Sequence, residues 1–259
     1  MTLFRPCIDL HEGKVKQIVG SSLSDSGSNL QTNFESEYSA AYFAELYKKD
    51  ELFGGHVIML GKGNEIEAKS ALAAHPQGLQ IGGGISPKNA EEYLNAGASH
   101  VIVTSYLFEN GEFSEKRLEE MKSAVGKERL VLDLSCKKTV GGWIREKNRW
   151  QTETSTIISK DSLFFFANYC DEFLIHAADV EGKQQGMDEE LIRFLAEYSP
   201  IKATYAGGAR HLNDLKRCLE ISMGKIDLTI GSALDIFGGS GARYAECVEF
   251  NRMNKNESL

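Results

Sequence analysis

Three short sequences recur in this chain in the same order, and that recurrence constrains the fold more than any other feature. Ile8-Asp9-Leu10 returns as Leu132-Asp133-Leu134, and Gly83-Gly84-Ile85 returns at the same offset as Gly207-Gly208-Ala209. Thr104-Ser105 is answered by Gly231-Ser232 at nearly that offset. Order and spacing kept together indicate an internal duplication. Around these landmarks, apolar and β-branched runs alternate with helix-length segments. The runs are Leu3–Asp9, His56–Leu60, Leu79–Ile81, Val101–Thr104, Leu130–Leu134, Glu172–His176, Ile201–Tyr205 and Asp227–Ile230. Helical periodicity appears at Ser39–Lys49, from Ser86-Pro87 to about Asn95, and at Ser114–Ala124, Met187–Tyr198 and Leu212–Ile221.

Strand–helix alternation implies parallel strands joined by crossovers. Eight such units in 259 residues predict an α/β chain folded as one (β/α)8 TIM barrel domain over 1–259. The duplication predicts two half-barrels, about 1–125 and 126–250. The alternative is an open doubly wound sheet, but the first strand-to-helix turn lacks the Gly-x-Gly-x-x-Gly of that fold. Two stretches read as long loops, Gly20–Asn33 and Ser135–Ser155, the second with Gly141-Gly142 as a hairpin turn. Each follows a strand and is expected on the barrel face that carries function.

Composition narrows the function classes. With 42% hydrophobic and 25% charged residues, the chain can bury a normal core. No apolar run reaches the ~18 residues of a membrane helix, and the start at Met1-Thr2-Leu3-Phe4-Arg5 is not that of a signal peptide. The net charge of −8 argues against a nucleic-acid-coating protein, yet a local site can still hold one small phosphorylated ligand. The 5 cysteines are odd in number and form no Cys-x-x-Cys pair. They point to a reducing, cytoplasmic setting rather than a disulfide framework or a zinc site. No motif for a metal, flavin or nicotinamide is present, so no cofactor is expected.

The repeats carry the chemistry. A Gly-Gly turn after a strand lets backbone N–H groups approach an anion closely. A Thr-Ser or Gly-Ser turn after the next strand adds a hydroxyl. Gly83, Gly84, Thr104 and Ser105 would form one phosphate cradle, and Gly207, Gly208, Gly231 and Ser232 the other. Two cradles on one mouth predict a small-molecule substrate with a phosphate at each end. Asp9 and Asp133 end the first and fifth strands, opposite each other on an eight-strand ring. Opposed carboxylates suit general acid–base catalysis. Their bland alternative is ion pairing with Lys14, Lys16 or Lys137, nearby in sequence.

At these residues the sequence resembles the phosphoribosylformimino-aminoimidazole carboxamide ribotide isomerases, the histidine-biosynthesis barrel isomerases, particularly their eukaryotic branch. Cys7-Ile8-Asp9-Leu10-His11-Glu12-Gly13-Lys14-Val15 is similar to the family's first-strand motif. Gln80 to Ile85 and Tyr205 to Gly208 are similar to its glycine turns. His176-Ala177-Ala178-Asp179-Val180-Glu181-Gly182 and the run from Thr229 to Gly239 also match. The resemblance implies an Amadori rearrangement of an aminoaldose to an aminoketose, on a bis-phosphorylated ribotide, without a cofactor. It implies Asp9 as general base, Asp133 as general acid, and a monomer; the net charge and the lack of a long apolar run point to neither nucleic acid nor membrane as a partner. Trp150 resembles a family tryptophan that covers the imidazole carboxamide, or serves as a loop anchor. Where bacterial members carry a sixth-strand threonine, this chain has His176 or Ala177. Their acidic second-strand motif is replaced by Met59-Leu60-Gly61-Lys62, and Thr104 stands in place of a glycine. Competing readings are the cyclase subunit of imidazole glycerol phosphate synthase, a sugar-phosphate-binding barrel without catalysis, and a dual-specificity isomerase that also accepts phosphoribosylanthranilate.

Overall fold

The computed structural model describes residues 1–18, 32–109, 112–139, 142–147, 152–177, 180 and 186–256. Eight strands run parallel around its centre. They are β1 (Phe4–Arg5 and Cys7–His11, either side of Pro6), β2 (Gly55–Met59), β3 (Leu79–Gly82) and β4 (Val101–Val103), then β5 (Leu130–Asp133), β6 (Glu172–His176), β7 (Lys202–Ala206) and β8 (Ile226–Thr229). Each pairs with its neighbours in sequence, and β1 closes the ring. Its first piece pairs with β8, Phe4 opposite Leu228, and its second with β2, Cys7 opposite His56. Pro6 stands at the handover, where its missing N–H costs no ladder bond. Its carbonyl still accepts from the His56 amide at 3.0 Å.

The helices lie between successive strands, with α8 following β8. They are α1 (Ala40–Lys49), α2 (Glu65–Ala74), α3 (Ala90–Asn95), α4 (Glu115–Val125), α5 (Lys160–Phe166), α6 (Glu189–Tyr198), α7 (Leu212–Ser222) and α8 (Tyr244–Asn256). Local chemistry sets their starts. The side chains of Ser39, Ser114 and Asp188 accept from the backbone amides of Tyr42, Arg117 and Leu191, which satisfies otherwise orphaned donors. On α6, Leu191, Ile192, Leu195 and Ala196 form the buried stripe that lays the helix on the sheet.

Strands covered by helices outside and by one another inside are buried on both faces, hence their near-continuous apolar runs. The main core fills the space between strands and helices. A second, small cluster of Ile102, Val131, Leu174 and Ala206, with Ile58 against it, fills the barrel interior. Below it the interior is polar. Glu172 accepts from Thr204 Oγ1 at 2.7 Å and from Gln80 Nε2 at 3.2 Å, and Arg5 is paired with Asp227 at 2.7 Å.

All eight expected strands are present. The helix expected from Ser86-Pro87 starts later, at Ala90. Asn89 accepts from the Ser86 amide and folds the preceding residues into a turn. Helices α2, α5 and α8 lie outside the predicted set. The second long loop is a three-stranded antiparallel sheet, Cys136–Thr139, Gly142–Lys147 and Thr152–Ile158. The first falls mostly outside the described residues; its flanks, Lys14–Ile18 and Thr32–Glu35, pair antiparallel.

Candidate active site

The C-terminal ends of the strands form a mouth, and the two expected carboxylates stand there. Asp9 is on β1 and Asp133 ends β5, four strands apart on the ring of eight. Asp133 is 7% exposed. Its Oδ1 accepts from Ser135 Oγ at 2.8 Å, and its Oδ2 accepts from Thr104 Oγ1 at 3.2 Å. Nδ1 of His176 faces the same Oδ2 at 3.2 Å. The Asp9 carboxylate accepts from Gln17 Nε2 at 3.2 Å. Lys14 and Lys16 pair with Glu35, and Lys16 also with Glu12 at 3.0 Å.

Behind His176 lies a second imidazole. His56, on β2, meets it edge to face with ring centroids 5.9 Å apart. Burial, then the charge of His176, push the His56 imidazole down to about 3, against the pull of Asp133. His56 is neutral at any physiological pH.

The glycine turns sit above the strand ends. Gly83 and Gly84 have φ of +95° and +71°, and Gly207 and Gly208 have +124° and +72°, the left-handed region that favours glycine. A Cβ on Gly83 would fall 2.1 Å from the Met59 carbonyl, and one on Gly208 would fall 2.2 Å from that of Gly186. A Cβ on Gly84 would meet nothing within 4 Å. Gly83 and Gly208 are thus required by the protein's own packing, whereas Gly84 faces open space. Gly231 lies against Gln17, whose Oε1 would be 2.6 Å from an added Cβ and accepts from Ser232 Oγ at 3.4 Å. Gln17 therefore ties the β8 turn to Asp9. Thr104 turns its hydroxyl to Asp133, and Ser105 opens a short 3-10 turn, Ser105–Leu107.

Trp150 lies outside the described residues. The other tryptophan, Trp143, donates its indole N–H to Asp188 at 2.8 Å and packs 5.4 Å from the Phe194 ring. It pins the sheet after β5 to α6. A cavity of about 540 Å³ opens there, with Cys136, Trp143, Ala177, Gly186 and Asp188 among its walls. Among the described residues no group of His, Cys, Asp and Glu is arranged to hold a metal, and no helix is long and apolar enough to cross a membrane.

Sequence reading missed three contributors, Gln17, His56 and Ser135. His56 carries a usable signal, as the one polar side chain in an otherwise apolar strand, whereas Gln17 follows Lys16 in a strand with two lysines and is not marked out. Ser135, two residues beyond Asp133, carries none, because hydroxyls after strand ends are common.

Comparison with known proteins gives a consistent picture. Residues 4–239 match the family model described as histidine biosynthesis protein. A protein of Neurospora crassa is 53% identical over 255 residues, covering 97% of this chain and 99% of its own. One of Saccharomyces cerevisiae is 48% identical over 258 residues, covering 97% and 98%. One of Medicago truncatula, named chloroplastic, is 52% identical over 258 residues, covering 97% and 82%. All three are named 1-(5-phosphoribosyl)-5-((5-phosphoribosylamino)methylideneamino) imidazole-4-carboxamide isomerase.

Proposed function

The chain belongs to the family of histidine biosynthesis proteins, and from that membership we propose that it catalyses the reaction its relatives are named for. The substrate is an aminoaldose ribotide with two ribose phosphates, and the product is the corresponding aminoketose. The observation that carries this reading is the placement of Asp9 and Asp133 at the ends of β1 and β5, four strands apart on one mouth. A substrate lying between them is reached by an acid from one side and a base from the other.

Asp133 serves as the acid. Protonation of the ribose ring oxygen lets the C1′–O bond break while the amine lone pair forms an iminium. Asp9 serves as the base and removes the C2′ proton, made acidic by the adjacent cationic nitrogen. Return of a proton to C1′ and loss of the enol proton give the ketone. Gln17 holds Asp9 in orientation through its 3.2 Å contact. The turns at Gly83-Gly84 and Ser105, and at Gly207-Gly208 and Gly231-Ser232, serve as the two phosphate cradles, which fits strand-end phosphate sites in barrels. The chemistry calls for no metal or redox cofactor. The recurrence of paired glycines with positive φ after β3 and β7 supports an origin in two half-barrels. One (β/α)8 unit can enclose this site, and we read the active form as a monomer.

The test is conversion of the ribotide by purified protein beside Asp9→Asn and Asp133→Asn, with product binding measured in parallel. Turnover at least ~10²-fold lower in both variants, with binding retained, is the expected result. Wild-type turnover in either removes that residue from the mechanism.

A further inference from the structure

We propose that Asp133 and His176 form a dyad holding one exchangeable proton, His176 being the positioning residue that stores it and Asp133 the group that passes it on. The proposal rests on the isomerase reading above. It starts from the surroundings of Asp133. Ser135 Oγ donates to Oδ1 at 2.8 Å, Thr104 Oγ1 donates to Oδ2 at 3.2 Å, and His176 Nδ1 faces Oδ2 at 3.2 Å. Donors converging on a carboxyl group favour its ionised form. A protonated Asp133 standing alone is therefore a poor resting state, yet ring opening draws a proton from this side of the mouth. The two side chains are each 10% exposed, and in so dry a site a carboxylate beside an imidazole favours the imidazolium.

Among the described residues, the neighbours leave the proton there. His56, from β2, packs edge-on against His176 at 5.9 Å and is held neutral by burial, so it does not compete. From β7 the residue paired with His176 is the apolar Ala206. Deeper in the barrel, Arg5 on β1 is matched by Asp227 on β8, and Glu172 at the base of β6 accepts from Gln80 and Thr204. Asp9, on the opposite strand β1, is held by Gln17.

The protons balance over a turnover. The dyad gives its proton to the ring oxygen as the C1′–O bond breaks, leaving a carboxylate beside a neutral imidazole. Asp9 takes the C2′ proton and returns it to C1′. The enol O–H proton goes back to the dyad as the C2′ carbonyl forms, and no net proton is consumed.

Nuclear magnetic resonance of 15N-histidine-labelled protein at pH 7 tests the storage directly. Doubly protonated His176 beside neutral His56 is expected in the wild type, with His176 neutral in Asp133→Asn. In kinetics, His176→Gln is expected to lose turnover by ~10²-fold with KM changed less than about threefold, and the alkaline limb of its pH profile moves. Neutral His176 in the wild type overturns the dyad, as does a His176→Gln enzyme with unaltered turnover and pH profile. The wild-type spectrum requires no variant, so the test survives a His176→Gln protein that does not fold. Absence of ribotide turnover by the wild type removes the isomerase reading, while the spectrum still decides where the proton sits.

Discussion

The hydroxyl of Thr104, at the end of β4, donates to Asp133 Oδ2 at 3.2 Å on the neighbouring strand β5. Parallel register puts the two strand ends side by side, with Leu132 opposite Val103. Thr104 stands in the first Gly-Gly cradle's partner turn, and its side chain is directed to the carboxylate. Thr104→Val, which keeps the shape and removes the donor, is expected to lower kcat roughly tenfold while KM stays within about twofold. A raised KM with unchanged kcat would instead make Thr104 a phosphate contact. Steady-state kinetics at one pH decides between them.

Gly84 and Gly83 separate ligand cradle from packing. An alanine at Gly84 meets open space and bears only the strain of its left-handed backbone, about 1–2 kcal/mol. Gly84→Ala is expected to fold, with a KM for the ribotide raised at least ~10-fold by the methyl group in the anion's approach. Gly83→Ala places Cβ against the Met59 backbone and is expected to lower the melting temperature far more. Equal melting temperatures, or an unchanged KM in Gly84→Ala, contradict this division.

Much of the architecture was legible because each strand buries both faces and so reads as an apolar run. The repeat alone marks Asp9 and Asp133 as matching residues at the ends of two strands. What was not legible has physical reasons. Helix α2 buries Ala68, Ala71 and Leu72 and leaves Ile66 84% exposed, so no apolar stripe marks it. Helix α5 carries three consecutive phenylalanines, of which Phe164 faces out, and they hide the helical period. The Thr104–Asp133 and His56–His176 contacts join residues far apart in sequence. They depend on strand register and side-chain reach, which no local pattern encodes.

Acid stability follows from His56. Its ordinary value of 6.5 in the unfolded chain falls to about 3 in the fold. Between those values the unfolded state binds a proton that the native state does not, so stability is intact above pH 6.5 and falls as pH drops toward 3. Buried His75 and partly buried His100 are lowered in the same direction, so removing His56 shrinks the slope without abolishing it. His56→Gln is expected to lose less stability than the wild type between pH 7 and pH 4, measured by urea denaturation. An identical slope in the two proteins contradicts a neutral, buried His56.

The most direct test of the account is conversion of the aminoaldose ribotide by the purified chain, without ammonia or added metal, beside Asp133→Asn. Turnover by the wild type is expected, with a loss of at least ~10²-fold in the variant and product affinity retained. Tight binding of the ribotide with no turnover by the wild type would contradict it, and would make this barrel a binder or a different enzyme of the same fold.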